Sequence, residues 1–207
     1  AMAVGTAALI VVLSVFNGFE STIKNLYSDY YPDIKVSTTK GKNFEINKKI
    51  ISQIQAIHGV EQISLSLEEN VLLSSDENQA VVTLKGIDQF YDSVTHFLKT
   101  IQYGNIQLDS MQEIPSIVLG MGVSNKLGVS EESHFPLNAY AFKKNAQFSI
   151  DPTQIYNSQE LAVSALFVMP EIDNDFAFTS LQTVQHLSEL EEHYSSIEIK
   201  LSKNAKT

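Results

Sequence analysis

The chain has no cysteine and no arginine among its 207 residues, and only five prolines. Without cysteine there is no disulfide, no thiolate zinc site and no thiol nucleophile, while the redox compartment stays open. All fourteen basic residues are lysine, so the bidentate phosphate and carboxylate clamps that arginine makes are excluded. The balance is acidic, −10 at pH 7, which argues against nucleic acid or an anionic membrane surface as ligand. Charged residues make up only 18%, yet with 43% apolar residues the composition is that of a folded domain, not a disordered one.

Charge is also missing locally. From Ala1 to Phe19 there is none, and nine of these nineteen residues are Val, Leu, Ile or Phe. A helix of that length rises about 28 Å, close to the hydrocarbon core of a bilayer. Its large apolar residues contribute about −3 to −5 kcal/mol towards insertion. A secretory signal peptide would need a basic leading region, a shorter apolar stretch and a small-x-small cleavage site, which Ser14-Val15-Phe16-Asn17 does not supply. A buried core helix is the third reading of the same run. The preferred one makes residues 1–31 a transmembrane helix, expected to start inside a longer span, with an extracytoplasmic extension that Pro32 stops. Leu9, Leu13 and Phe16 fall along one side of this helix at helical spacing.

The remaining residues read as a soluble extracytoplasmic α+β domain. Ile34, Val36 and Thr38 alternate as a strand. Asn43 is a candidate cap for a helix over 44–57 carrying Ile46, Ile50 and Ile54, with Gly59 ending it. Val60–Leu73 alternates with Ile63, Leu65 and Leu67 on one face, and a polar turn leads to a strand over 80–84. The matching half lies at the far end of the sequence. Thr179 and Gln182 suggest a capping box for a helix over 179–190, and Ile197, Ile199 and Leu201 form a last strand with Glu198 and Lys200 on its other face. These pieces have the order of a split β-α-β unit over 32–86 and 178–207. Residues 87–177 interrupt it as an inserted, β-rich subdomain, with strands expected near 116–119, 137–142 and 161–169.

Candidate chemistry is sparse. Gly120-Met121-Gly122 lacks the third glycine of a dinucleotide fingerprint and the Lys-Ser/Thr of a phosphate loop, leaving a tight strand-to-helix turn. The five histidines show no metal-ligand spacing, and Glu171, Asp173 and Asp175 are too few donors for a calcium loop. No serine sits in Gly-x-Ser-x-Gly. The expectation is no catalytic, cofactor or metal site and no enzymatic activity. Lys143–Gln159 reads either as an ordinary long hairpin or as a protruding arm presenting Lys143, Lys144, Phe148, Ile150, Ile155 and Tyr156 to a partner.

The run from Ala7 to Glu20, with Leu-Ser-Val-Phe-Asn-Gly-Phe from Leu13 to Phe19, resembles the end of the first transmembrane helix of LolC/LolE-type permeases. These are membrane subunits of the lipoprotein-releasing ABC transporter, within the wider FtsX/MacB-like permease superfamily. Ile117–Gly122 with Lys126–Val129, and Phe176–Gln182 with Ser196–Leu201, are similar to two further family patterns in the same order. Where the pattern has Gly-Asp after Leu-Gly-Val, this chain has Ser130-Glu131-Glu132-Ser133. The resemblance implies a periplasmic domain of the inner membrane permease, built from a split β-α-β "porter" part and an inserted "sabre" part. It implies ATP bound by a separate cytoplasmic ATPase subunit, a second permease subunit as partner, and lipoproteins passed to a periplasmic carrier. In one permease type a hook in the sabre part grips that carrier, and 143–159 is the positionally matching segment. The superfamily also holds permeases for other substrates and regulators of cell-wall enzymes. A membrane-tethered periplasmic binding protein is the reading from a different class.

Overall fold

The computed structural model describes residues 5–7, 9–19, 31–106, 108, 113–144 and 155–205. Residues 5–7 and 9–19 are helical (α1), and the large apolar side chains from Leu9 to Phe19 are exposed. Among the described residues no helix is long and apolar enough to cross a membrane. The span expected over residues 1–31 is therefore not shown, since 1–4, 8 and 20–30 lie outside the described residues.

Eleven strands follow among the described residues: β1 (Ile34–Ser37), β2 (Phe44–Glu45), β3 (Val60–Ser74), β4 (Gln79–Ile87), β5 (Ile101–Gly104), β6 (Ser116–Gly120), β7 (Leu137–Phe142), β8 (Tyr156–Phe167), β9 (Phe176–Ser180), β10 (His193–Tyr194) and β11 (Ser196–Leu201). The helices are α2 (Lys48–Gln55), α3 (Tyr91–Thr95), α4 (Met121–Leu127) and α5 (Leu181–Ser188). All strands but β2 and β10 join one sheet in the order β1-β11-β3-β4-β9-β6-β8-β5, and β7 bridges β3 and β8. The pairings β3-β4-β9-β6-β8-β7-β3 thus return on themselves as a closed circuit. The strands of 87–177 hydrogen-bond directly to those of the split unit, β9 lying parallel to β4 and antiparallel to β6.

The period-2 alternation of β3 sorts the molecule into two layers. Ile63, Leu67, Val71 and Leu73 are buried on one face, where α2 adds Ile51 and Ile54 and α5 adds Val184 and Leu187. Both helices share this face because their apolar stripes need the same odd-numbered side chains of β3. Ser64, Ser66 and Glu68 point to the other face, which α3 and the 3-10 turn Phe97–Thr100 cover through Tyr91 and Phe97.

Several boundaries differ from the sequence expectation. The cap of α2 is Asn47, whose side chain accepts the Lys49 N–H at 2.9 Å, and Phe44–Glu45 before it is a strand pairing β10. The helix stops at Ala56, and Gly59 (φ +98°) serves the turn into β3. The cap of α5 is Ser180, not Thr179. Ser180 Oγ accepts the Thr183 N–H at 3.2 Å, while Thr179 is still in β9 and donates to the Ser116 carbonyl at 2.7 Å. Gly120-Met121-Gly122 is a tight strand-to-helix turn, and its glycines are required by contact. A Cβ on Gly120 would stand 2.1 Å from the Asp173 carbonyl oxygen, and one on Gly122 2.2 Å from Asn174 Oδ1.

Candidate functional site

Two places on the domain carry more than core packing. The first is polar and buried, on the face opposite α2 and α5. Strand pairing sets Lys85 of β4 opposite Glu68 of β3, and Ser196 of β11 opposite Ser66. Lys85 Nζ lies 2.6 Å from Glu198 Oε1 and 3.4 Å from Glu68 Oε1, and Lys35 Nζ of β1 reaches Glu68 at 3.2 Å. Glu198 is 1% exposed and also accepts from Ser66 Oγ at 3.2 Å and Ser196 Oγ at 3.3 Å. The Lys85 ammonium sits 4.9 Å from the Tyr91 ring centroid, within cation–π range. Beside it Asp88 accepts from Ser64 Oγ at 2.6 Å and the Leu65 N–H at 2.9 Å. Four strands and α3 are cross-linked here. Among the described residues no buried side-chain nitrogen or oxygen lacks a partner.

Electrostatics follow from this geometry. Burial alone would pull Lys85 down, but Tyr91, Glu198 and Glu68 outweigh it and hold the ammonium above its usual range. Burial pushes the Tyr91 phenol up to about 12. Burial raises Glu68, yet Lys85 and Lys35 leave it net lowered, whereas burial leaves Asp88 net raised. Lysine and tyrosine both bind their protons more tightly in the folded chain, so their contribution is present below the unfolded values and lost as pH rises. Melting temperature is expected to fall as pH climbs from 10 to about 12, and Tyr91→Phe should flatten part of that fall. A melting temperature constant across this window would overturn the assignment. On the acid side Glu68 and Asp88 act with opposite signs and partly cancel.

Lys85 shares its ammonium between two carboxylates and lies against the Tyr91 ring, which makes the cluster a strap across the sheet. A cavity of about 170 Å³ adjoins it, walled by Tyr91, Phe97, Phe176, Phe178 and the two residues Tyr31 and Pro32 that lead in from the amino-terminal side. Among the described residues no group of His, Asp and Glu could hold a metal ion. This cluster was missed from sequence because polar residues alternating along a strand read as a solvated face; the only trace is that three such strands carry them in register.

The second place is the base of the arm. Lys143 and Lys144 follow β7, and the Lys143 N–H donates to the Ile155 carbonyl at 2.9 Å, so four of the expected partner residues (Lys143, Lys144, Ile155, Tyr156) meet there. Tyr156 stacks edge-on against Phe142 and Tyr140, at centroid distances of 5.9 and 6.1 Å. Phe142, not singled out from sequence, is 75% exposed. Phe148 and Ile150 lie outside the described residues. Leu9, Leu13 and Phe16 are exposed on α1, and none of the described residues 5–19 belongs to any of the three core clusters.

Residues 1–207 match the MacB-like periplasmic core domain family. The fold is similar to the crystal structure of the extracellular domain of the noncanonical ABC-type transporter YknZ from Gram-positive bacteria, at 17% identity and a TM-score of 0.55, covering 84% of this chain and 82% of that one. It is also similar to the periplasmic region of MacB from Actinobacillus actinomycetemcomitans, at 13% identity and a TM-score of 0.55, covering 79% of this chain and 69% of that one.

Proposed function

The chain belongs to the MacB-like periplasmic core domain family, and from that premise we propose that it serves a permease which releases lipoproteins from the inner membrane. Permeases of the MacB/FtsX type work with cytoplasmic ATPase subunits. In this reading residues 1–31 hold the end of a membrane helix, 32–86 with 178–207 form the porter part, and 87–177 form the sabre part. The domain binds no ATP, metal or cofactor and catalyses no reaction. It couples ATP hydrolysis by its cytoplasmic partner to movement outside the membrane, alongside a second permease subunit.

The observation that carries the substrate assignment is the Leu13–Phe19 run on a helix whose Leu9, Leu13 and Phe16 lie along one side by helical spacing and are exposed, as are its other large apolar side chains. Lipid chains need such a surface, because each CH₂ moved into water costs about 0.8 kcal/mol. The Lys85 strap supports coupling, since it fastens β1 and β11, next to the membrane-proximal residues, to β4 and α3. Carrier contact is assigned to the 143–159 arm.

The test uses the full permease reconstituted with its ATPase subunit in vesicles containing a fluorescent triacylated lipopeptide. ATP-dependent release into a carrier-containing solution is expected. Leu13→Asp should reduce release while leaving carrier docking intact, with membrane insertion verified first. Deleting residues 145–154 should weaken docking with the domain still folded. ATP hydrolysis without any lipopeptide release would overturn lipoprotein release and favour another substrate or cell-wall enzyme regulation.

A further inference from the structure

The edge of β3 is used twice, by β11 up to Ser66 and by β7 from Leu72 onwards. Between them, beyond Glu68, no strand among the described residues pairs with it. Backbone N–H and C=O groups alternate between the two edges of a strand. Ser66 accepts from the Ser195 N–H and Glu68 donates to Ser195 Oγ on this edge, so Asn70, of the same parity, points its backbone groups the same way. On β7 the Lys143 N–H turns towards β8, so Phe142 next to it turns its backbone groups away from β8, towards β3. Asn70 and Phe142 would be the next rung after Leu72 and Tyr140, but pairing stops at that rung. The two strands splay into a fork, and among the described residues no strand fills it. A cleft of about 930 Å³ occupies the fork, lined by Asn70, Val81, Tyr140, Phe142, Tyr156 and Lys42. Val81 and Phe142 are 72% and 75% exposed and give the cleft an apolar rim.

We infer that this fork takes an extended peptide strand from a partner protein, apolar at alternate positions and flanked by acidic residues. Main-chain bonding to Asn70 on one side and Phe142 on the other gives a strand its footing, while Val81, Tyr140 and Tyr156 accept its alternate side chains. Lys42, Lys143 and Lys144 have no carboxylate partner among the described residues, and their charge selects acidic flanks. Glu69, also in the cleft wall, is held by Asn43 Nδ2 at 3.4 Å. The inference rests on reading this end of the domain as the partner-contact face and names the chemistry of what it grips.

The probe is a fluorescein-labelled peptide of alternating valine and threonine with glutamates at both ends, titrated against the full permease in detergent and read by anisotropy. Saturable binding is expected, weakened about tenfold or more by Phe142→Asp, and by replacing the peptide's glutamates with lysines. Phe142 is exposed, so its loss should leave the fold intact, which a melting curve verifies. N-methylating the peptide amides that face Asn70 or Phe142 should cost about tenfold per lost bond, while methylating those of the opposite phase changes affinity by less than about twofold. Equal effects of both phases would mean side-chain contact without strand insertion and would overturn the inference, as would absent binding or binding that survives Phe142→Asp. Peptide binding and lipopeptide release are read separately: binding without release counts against the proposed function alone, and release without binding against the fork alone.

Discussion

Replacing Lys85 by methionine is expected to lower the unfolding free energy by about 3–5 kcal/mol, because it leaves the Glu198 carboxyl buried with only two serine hydroxyls for company. Coulomb attraction in the interior barely repays desolvation, so the loss comes from the orphaned carboxylate and not from the pair itself. The double variant Lys85→Met with Glu198→Leu, which removes both charges, should recover most of the deficit. Lys35→Met makes the useful contrast. Its side chain is 46% exposed, and an exposed pair contributes about 0–1 kcal/mol. Urea unfolding of the three variants decides the matter. A double variant no more stable than Lys85→Met alone would show that the strap, and not the stranded charge, carries the energy.

The same cluster shows where sequence reading stops. The odd-numbered apolar residues of β3 and the stripes of α2 and α5 announce their elements and their shared face, because burial on one side leaves a period that composition alone preserves. That β1 and β11, distant in sequence, share one sheet followed from the split order of elements; that they pair directly did not. Caps were misplaced by one residue at Thr179 and by four at Asn43, since several Ser, Thr and Asn residues compete near each terminus and only backbone geometry chooses among them. Strand β9 was not anticipated, as Phe176–Ser180 is short and runs straight into a helix. Lys85, Ser66 and Glu198 alternate as a solvated face would. That they are buried depends on α3 folding over them, a tertiary fact without a local signal. The fork at Asn70 and Phe142 is equally silent, because it is a missing rung.

Phe178→Ala is expected to cost about 3–5 kcal/mol and to reach beyond its own void. Phe178 is 1% exposed and sits at the centre of an aromatic cluster, with ring centroids 4.3 Å from Phe97, 5.2 Å from Phe167, 6.0 Å from Tyr91 and 6.5 Å from Phe176. These rings come from β8, β9, α3 and the 3-10 turn after it, so one truncation loosens four elements. Phe178 is also the strand neighbour of Lys85 and a wall of the 170 Å³ cavity beside it. Enlarging that cavity gives Tyr91 room to tilt off the ammonium, and water access to Glu198. The alkaline fall in melting temperature should therefore begin at lower pH in Phe178→Ala than in the parent, as the buried phenol is rehydrated. Phe178→Leu, which refills most of the volume without the ring, should restore much of the stability but not the ring–ring contacts, of which the one with Phe167 is edge-to-face, each worth about 0.5–1.5 kcal/mol. Phe176→Ala tests the partition, because that ring is partly exposed and touches only Phe178 among the aromatic pairs given above. Thermal unfolding followed across pH reads all three variants at once. If Phe178→Ala lowers stability while leaving the alkaline limb where it was, the aromatic cluster and the polar strap are energetically separate, and the lid formed by α3 is held by the rings alone.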